Sequence, residues 1–190
     1  MVKQEFDEKN ISQKPAIEVL KNLGYKYINP QDVGLRTNQY NVLLKPILRE
    51  KLIAINSYTY KGKVYKFDDK NINAALNDID ELLTDGLVKT NEKIYETLML
   101  GKSYTENLED GTKRSFTLKY IDWDNMDNND FYVFEEFSIE SEDGKHNVRP
   151  DLVLFINGIP FGVIECKIPS ISVDQAIEQM IRNQGIFAVL

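Results

Sequence analysis

Asp151, Glu165 and Lys167 are the residues of this chain whose types and spacing point most directly to chemistry. They stand at the ends of two apolar runs, 152–156 and 159–164, inside the stretch VRPDLVLFINGIPFGVIECK at 148–167. Acids are rare beside such runs unless they are paired or hold a metal. Two carboxylates and an ammonium converging on one edge can grip a divalent cation and activate a water, as metal-assisted hydrolysis requires. On spacing alone, charges that merely cap a solvent-exposed hairpin give the same pattern.

Convergence requires the two runs to pair. Asn157-Gly158 between them is the strongest short-range hairpin signal a sequence carries. Register then decides the chemistry. In a regular hairpin with a two-residue turn, Asp151 faces Ile164, and Glu165 and Lys167 turn to the opposite side of the sheet. A three-residue loop over 156–158 sets Asp151 against Val163 and restores a common face; a bulge near Pro160, which cannot donate to the ladder, does the same. The sequence therefore predicts an odd-residue turn or a bulge between Asp151 and Glu165.

Pro150-Asp151 followed by Glu165-Cys166-Lys167 resembles the PD-(D/E)XK nuclease signature. The filling is more specific. RPDLVLFINGIPFGVIECK and the later ISVDQAIEQMIR resemble the N-terminal nuclease domain of type I restriction enzyme R (motor and cleavage) subunits, closely over 148–183 and weakly at 20–25. That resemblance implies an α/β, restriction-endonuclease-like fold: a mixed central sheet flanked by helices, with extra helices inserted in the N-terminal half. It implies Mg2+, or Mn2+, held by Asp151, Glu165 and the backbone carbonyl of Cys166, with Lys167 positioning or deprotonating the attacking water. Two accessory candidates follow from it. Glu18 lies on the first helix, where the family brings a further acid, although usually nearer Gln13. Gln179 matches a Gln-x-x-x-Tyr pair, with Asn183 in the tyrosine's place. The resemblance also implies double-stranded DNA as substrate, modification and specificity subunits as partners, a cytoplasmic setting, and ATP-driven translocation by a portion beyond these residues. The rival readings are another PD-(D/E)XK nuclease, of a repair or transposon type, and a catalytically inactive docking module. The second is favoured by the acidic charge and by Asn183.

Composition sets the bounds. A chain of 190 residues, 42% hydrophobic and 28% charged, suits a soluble domain with a sizeable core. The net charge of −7 argues against strong unaided DNA binding, which draws on phosphate neutralisation. It fits a cleavage module to which partners deliver the DNA. The single cysteine, Cys166, cannot form an internal disulfide, and its alternation away from Glu165 and Lys167 predicts a packed side chain. His146 is the only histidine, so no histidine triad or zinc cluster can be built. No P-loop, signal peptide or membrane-length apolar run is present.

The elements that must position these residues can be read in order. Ala16, Val19, Leu20 and Leu23 predict a helix over 12–23, with Pro15 in its first turn and Gly24 as its stop. A second helix is expected over 40–55, opened or kinked by Pro46, with Lys45, Arg49 and Lys51 on a solvated or DNA-facing side. Residues 58–67 read as a hairpin. Ile72, Ala75, Leu76, Ile79, Leu82 and Leu83 trace an amphipathic helix, and 90–100 another. The acidic stretch 106–112 reads as a loop, 115–123 and 131–139 as strands, and 124–130 as a polar turn lacking the glycine and glutamate of a calcium loop. We thus expect a mainly helical part, 12–110, and a catalytic sheet with its following helix, 113–190, in one nuclease domain spanning 1–190. In that last helix, capped by Ser172 and Gln175, residues Ala176, Ile177, Met180 and Ile181 should pack on the sheet while Gln179 points to the metal edge. The sequence stops on the apolar run 186–190, from which we expect it to be a piece of a longer chain.

Overall fold

The computed structural model describes residues 9–31, 41–80, 87–140, 147–167, 177, 178 and 181. A π-helical turn, Lys9–Gln13, leads into α1 (Lys14–Asn22) and β1 (Lys26–Ile28). Next come α2 (Lys45–Ile55), β2 (Tyr58–Tyr60), β3 (Lys63–Tyr65), α3 (Asp69–Asp80), α4 (Leu87–Leu100), β4 (Lys102–Asn107) and β5 (Lys113–Leu118). The series ends with β6 (Phe131–Glu135), β7 (Ile139–Glu140), β8 (Asn147–Val148), β9 (Leu152–Ile156) and β10 (Ile159–Ile164).

Four strands form a mixed sheet in the order β1-β6-β9-β10. β1 runs parallel to β6, whereas β9 is antiparallel to both β6 and β10. Three helices, α2 to α4, are inserted in the sequence between β1 and β6. This is the mixed α/β, restriction-endonuclease-like architecture the sequence leads one to expect.

The chain divides into two compact units, one drawn from Met1–Val42 and Phe131–Leu190, the other from Leu43–Asp130. The parallel pairing of β1 with β6 draws the first helix and strand to the late strands, and β5 pairs with β4 instead of the main sheet.

In the first unit, α1 buries Ile17 and Leu20 against Val133, Leu152 and Cys166 on one face of the sheet. Gln13, four residues before Ile17, is also buried, whereas Val19 and Leu23 are exposed. The buried stripe therefore runs through 13, 17 and 20 rather than through the expected 16, 19, 20 and 23, with Ala16 at its margin. On the other side of the ladder Phe137 meets Phe134 and Phe155 edge-on, with ring centroids 5.0 and 5.3 Å apart. Val153 and Phe155 are fully buried there.

In the second unit Pro46 opens α2 and does not kink it, as its missing N–H costs nothing in a first turn. Leu48 and Leu52 are completely buried, as are Ala75 and nearly Ile72 of α3. Lys45, Arg49 and Lys51 pair with Asp80, Asp69 and Asp130. β2 and β3 form the expected hairpin, turning at Lys61 (φ +47°) and Gly62 (φ +77°). Gly101 joins α4 to β4 with φ +72°, where a Cβ would stand 2.5 Å from the Leu118 carbonyl oxygen. β4 occupies part of what reads as loop, and pairs in register with β5 from Lys102–Leu118 to Asn107–Lys113.

Candidate metal and catalytic site

The site grows from the β9–β10 hairpin. Asn157 (φ +54°) and Gly158 (φ +87°) are both left-handed, the backbone of a tight two-residue turn whose twist matches the strands. Beside the turn Ile159 pairs with Ile156 and Pro160 with Phe155; beyond it Gly162 pairs with Leu154 and Ile164 with Leu152. The register shifts between Pro160 and Gly162, leaving Phe161 as the extra residue of a bulge. Of the two devices the sequence allows, the chain uses the bulge and not the three-residue loop. If this register continues one residue past the Ile164–Leu152 pair, Glu165 rather than Ile164 stands opposite Asp151, and alternation would put Lys167 on the same face.

Hydrogen bonds fix Asp151, which stands one residue before β9 and so outside its ladder. Its Oδ2 accepts the backbone N–H of Cys166 at 2.6 Å, tying the first acid to the Glu-Cys-Lys segment. Its carbonyl accepts the Glu136 N–H at 2.9 Å and the Gln13 side-chain amide at 3.3 Å. Asp151, Glu165 and Lys167 are all partly buried, while the Cys166 side chain is buried against α1, as alternation predicts.

The carboxylate oxygens of Asp151 and Glu165 and the Cys166 carbonyl make an all-oxygen donor set, suited to Mg2+ or Mn2+ rather than to a soft metal. Among the described residues no group of three or more His, Cys, Asp or Glu side chains gathers.

Other expected residues are placed less centrally. Ile17 and Leu20 occupy the buried side of α1, so Glu18 faces solvent, where its Oε1 meets Lys21 Nζ at 2.8 Å. Ile177 and Ile181 are helical but 48% and 60% exposed, so the expected packing of these two on the sheet does not occur. They lie one turn apart on a single helix face, and periodicity alone cannot say whether such a face is the covered one. Gln179, Asn183, Ala176, Met180 and His146 lie outside the described residues.

Gln13 and Glu136, which bond the Asp151 carbonyl, and Lys9, which pairs with Glu136, are not named as site residues by the sequence, although the family's further acid falls near Gln13. Glu136 has φ +51°, uncommon for a residue with a side chain. Lys9 Nζ lies 3.1 Å from Glu135 and 3.3 Å from Glu136. The Glu135 hydrogen bond raises the Lys9 pKa above its ordinary value, outweighing desolvation. No motif announces Lys9 or Glu136, but a glutamine in line with the apolar stripe of α1 is a detectable signal. No helix among the described residues is long and apolar enough to cross a membrane.

Residues 5–186 match the family model described as type I restriction enzyme R protein N terminus. A putative type I restriction enzyme MjaIXP endonuclease subunit of Methanocaldococcus jannaschii is 30% identical over 184 residues, covering 86% of this chain and 15% of the relative. The type I restriction enzyme HindI endonuclease subunit of Haemophilus influenzae is 26% identical over 172 residues, with 86% and 15% covered. A second Methanocaldococcus jannaschii protein, the putative MjaVIIIP endonuclease subunit, is 32% identical over 153 residues, covering 79% of this chain and 13% of its own length. The chain thus spans about one seventh of the curated relatives it matches.

Proposed function

This chain belongs to the family of type I restriction enzyme R protein N termini, and from that premise we propose that its β9–β10 edge cleaves DNA phosphodiester bonds with the help of a divalent cation. One observation supports the reading: the register shift at Phe161, which if continued past Ile164 and Leu152 would set Glu165 opposite Asp151, together with the Cys166 amide bonded to Asp151. A regular hairpin would have left the acids on opposite faces.

In this reading Asp151, Glu165 and the Cys166 carbonyl hold Mg2+, or Mn2+. The cation supplies Lewis-acid stabilisation of charge at the phosphate and lowers the pKa of a bound water. Asp151 is held by the Cys166 N–H at Oδ2, so its carboxylate would supply one negative charge to the cation. Glu165, one residue beyond β10, would bring the second charge. Lys167, two residues on and on the same side, orients the attacking water and takes or relays its proton. Gln179 is proposed to help position the DNA or the metal-bound groups. The portion of the protein beyond these residues would be an ATP-dependent DNA translocase, and double-stranded DNA with modification and specificity subunits would be its substrate and partners. The net charge of −7 supports delegated delivery of the DNA.

The test is cleavage of duplex DNA by the full chain assembled with its partners, in Mg2+ and in EDTA. Asp151→Asn and Lys167→Ala should each abolish Mg2+-dependent cleavage while leaving ATP hydrolysis by the assembly intact. Cleavage that persists in EDTA or in both variants would defeat the proposal.

A further inference from the structure

The side chain that approaches Asp151 from α1 is a glutamine, and its burial demands an explanation. Gln13 is 5% exposed. A primary amide removed from water costs free energy unless its hydrogen bonds are remade. Its Nε2 donates to the Asp151 carbonyl at 3.3 Å, across 138 residues of sequence. It sits at the end of the π-helical turn Lys9–Gln13, directly before α1. Such turns are rare and recur at functional sites, because the wider backbone re-aims one side chain.

Asp151 has particular need of such support. The β9 ladder begins at Leu152, so regular strand pairing does not hold the Asp151 backbone. Two donors hold it instead: the Gln13 amide and the N–H of Glu136, a residue in the sparsely populated left-handed region. With the carbonyl fixed from two directions and Oδ2 fixed by Cys166, the direction in which Oδ1 points is determined.

We propose that Gln13 is a positioning residue: it acts through the Asp151 backbone to hold that carboxylate in the orientation that binds a divalent cation. This rests on the reading of the Asp151–Glu165 edge as a metal site. Groups that orient metal ligands are commonly worth about 10- to 100-fold in metal affinity. The amide acts as a donor, not as a ligand, so its replacement by an acceptor of equal length should not help.

The test is Mn2+ binding to the full chain without DNA, read from the spin-resonance signal of unbound Mn2+, in parallel with circular dichroism. Gln13→Met keeps the length and apolar contacts and removes the donor; about tenfold weaker Mn2+ binding is expected, with the native spectrum retained. Gln13→Glu removes the donor and adds an acceptor, and should bind Mn2+ no better than Gln13→Met. Unchanged binding in Gln13→Met would overturn the inference. So would tighter binding in Gln13→Glu than in the wild type, which would make position 13 a ligand. Loss of the native spectrum in both variants would assign Gln13 to folding and overturn it as well. Asp151→Asn separates the two readings. If it binds Mn2+ like the wild type, the metal site itself is wrong; if it loses Mn2+ while Gln13→Met does not, only the role of Gln13 fails.

Discussion

Asp151 has two separable duties, and two substitutions divide them. Its Oδ2 accepts the part-buried Cys166 N–H at 2.6 Å, a charge-assisted bond holding the start of β9 to the end of β10. A hydrogen bond to a charged group contributes roughly 1.5–3 kcal/mol, and a neutral one about 1 kcal/mol. Asp151→Ala leaves the amide without its acceptor, so a loss of about 2 kcal/mol is expected. Asp151→Asn keeps a neutral acceptor and should lose about 1 kcal/mol. For a domain of this size each kcal/mol moves Tm by about 2–4 °C, so alanine should lower it by about 4–8 °C and asparagine by about half as much. Thermal unfolding in EDTA measures this without any metal contribution. Cleavage should nevertheless be lost equally in both, because the cation needs the negative charge and not the hydrogen bond. Identical melting of alanine, asparagine and wild type would refute the structural tie. Cleavage by Asp151→Asn within about tenfold of wild type would refute the metal role.

Further outcomes follow from other parts of the fold. Deleting Phe161 removes the extra residue of the bulge but leaves Glu165 opposite Asp151, so Mn2+ binding should survive. Inserting one alanine between Val163 and Ile164 should turn Glu165 and Lys167 to the other face and abolish it; Mn2+ titration of both variants decides. Gly101→Ala should cost about 1–3 kcal/mol in urea unfolding, because its left-handed φ is strained for alanine and its Cβ would meet the Leu118 carbonyl at 2.5 Å. At acid pH the second unit should lose stability. Burial pushes Asp78 up, but hydrogen bonds from Lys102 and Tyr104 outweigh it and leave it lowered; the Asn128 amide leads the lowering of Asp122. For such depressed groups the stabilisation is present above the ordinary carboxylate pKa of about 4 and is lost as pH falls through the lower folded-state values. Urea midpoints measured from pH 6 to pH 3 should fall, and Asp78→Asn should flatten that slope.

The hairpin was legible from its residues because two local rules met there. Asn-Gly specifies a left-handed two-residue turn, and Pro160 marks where the ladder can break. The chemistry demanded a common face, so the bulge could be expected even though the pattern allowed a longer turn instead. Helix existence was equally readable at Ile72, Ala75 and Ile79, where tertiary packing only confirms the period. What could not be read is what depends on partners distant in sequence. Nothing near 102–107 says that it will be a strand, because its partner across the acidic turn supplies the pairing. The π-helical turn before α1 moves the buried stripe onto Gln13, Ile17 and Leu20, leaving Val19 and Leu23 outside. Glu18, offered by the family resemblance as the further acid of this helix, lies off that stripe and faces solvent beside Lys21. The clamp on Asp151 comes from residues 15 and 138 positions away, beyond any local rule.

The most direct test of the metal-dependent cleavage edge is a crystal of this chain soaked in Mn2+ and measured at the manganese absorption edge. An anomalous peak bounded by the Asp151 and Glu165 carboxylates and the Cys166 carbonyl, and missing from Asp151→Asn crystals, is the expected result. No peak there at millimolar Mn2+, or Asp151 and Glu165 on opposite faces of the β9–β10 ladder, would contradict it.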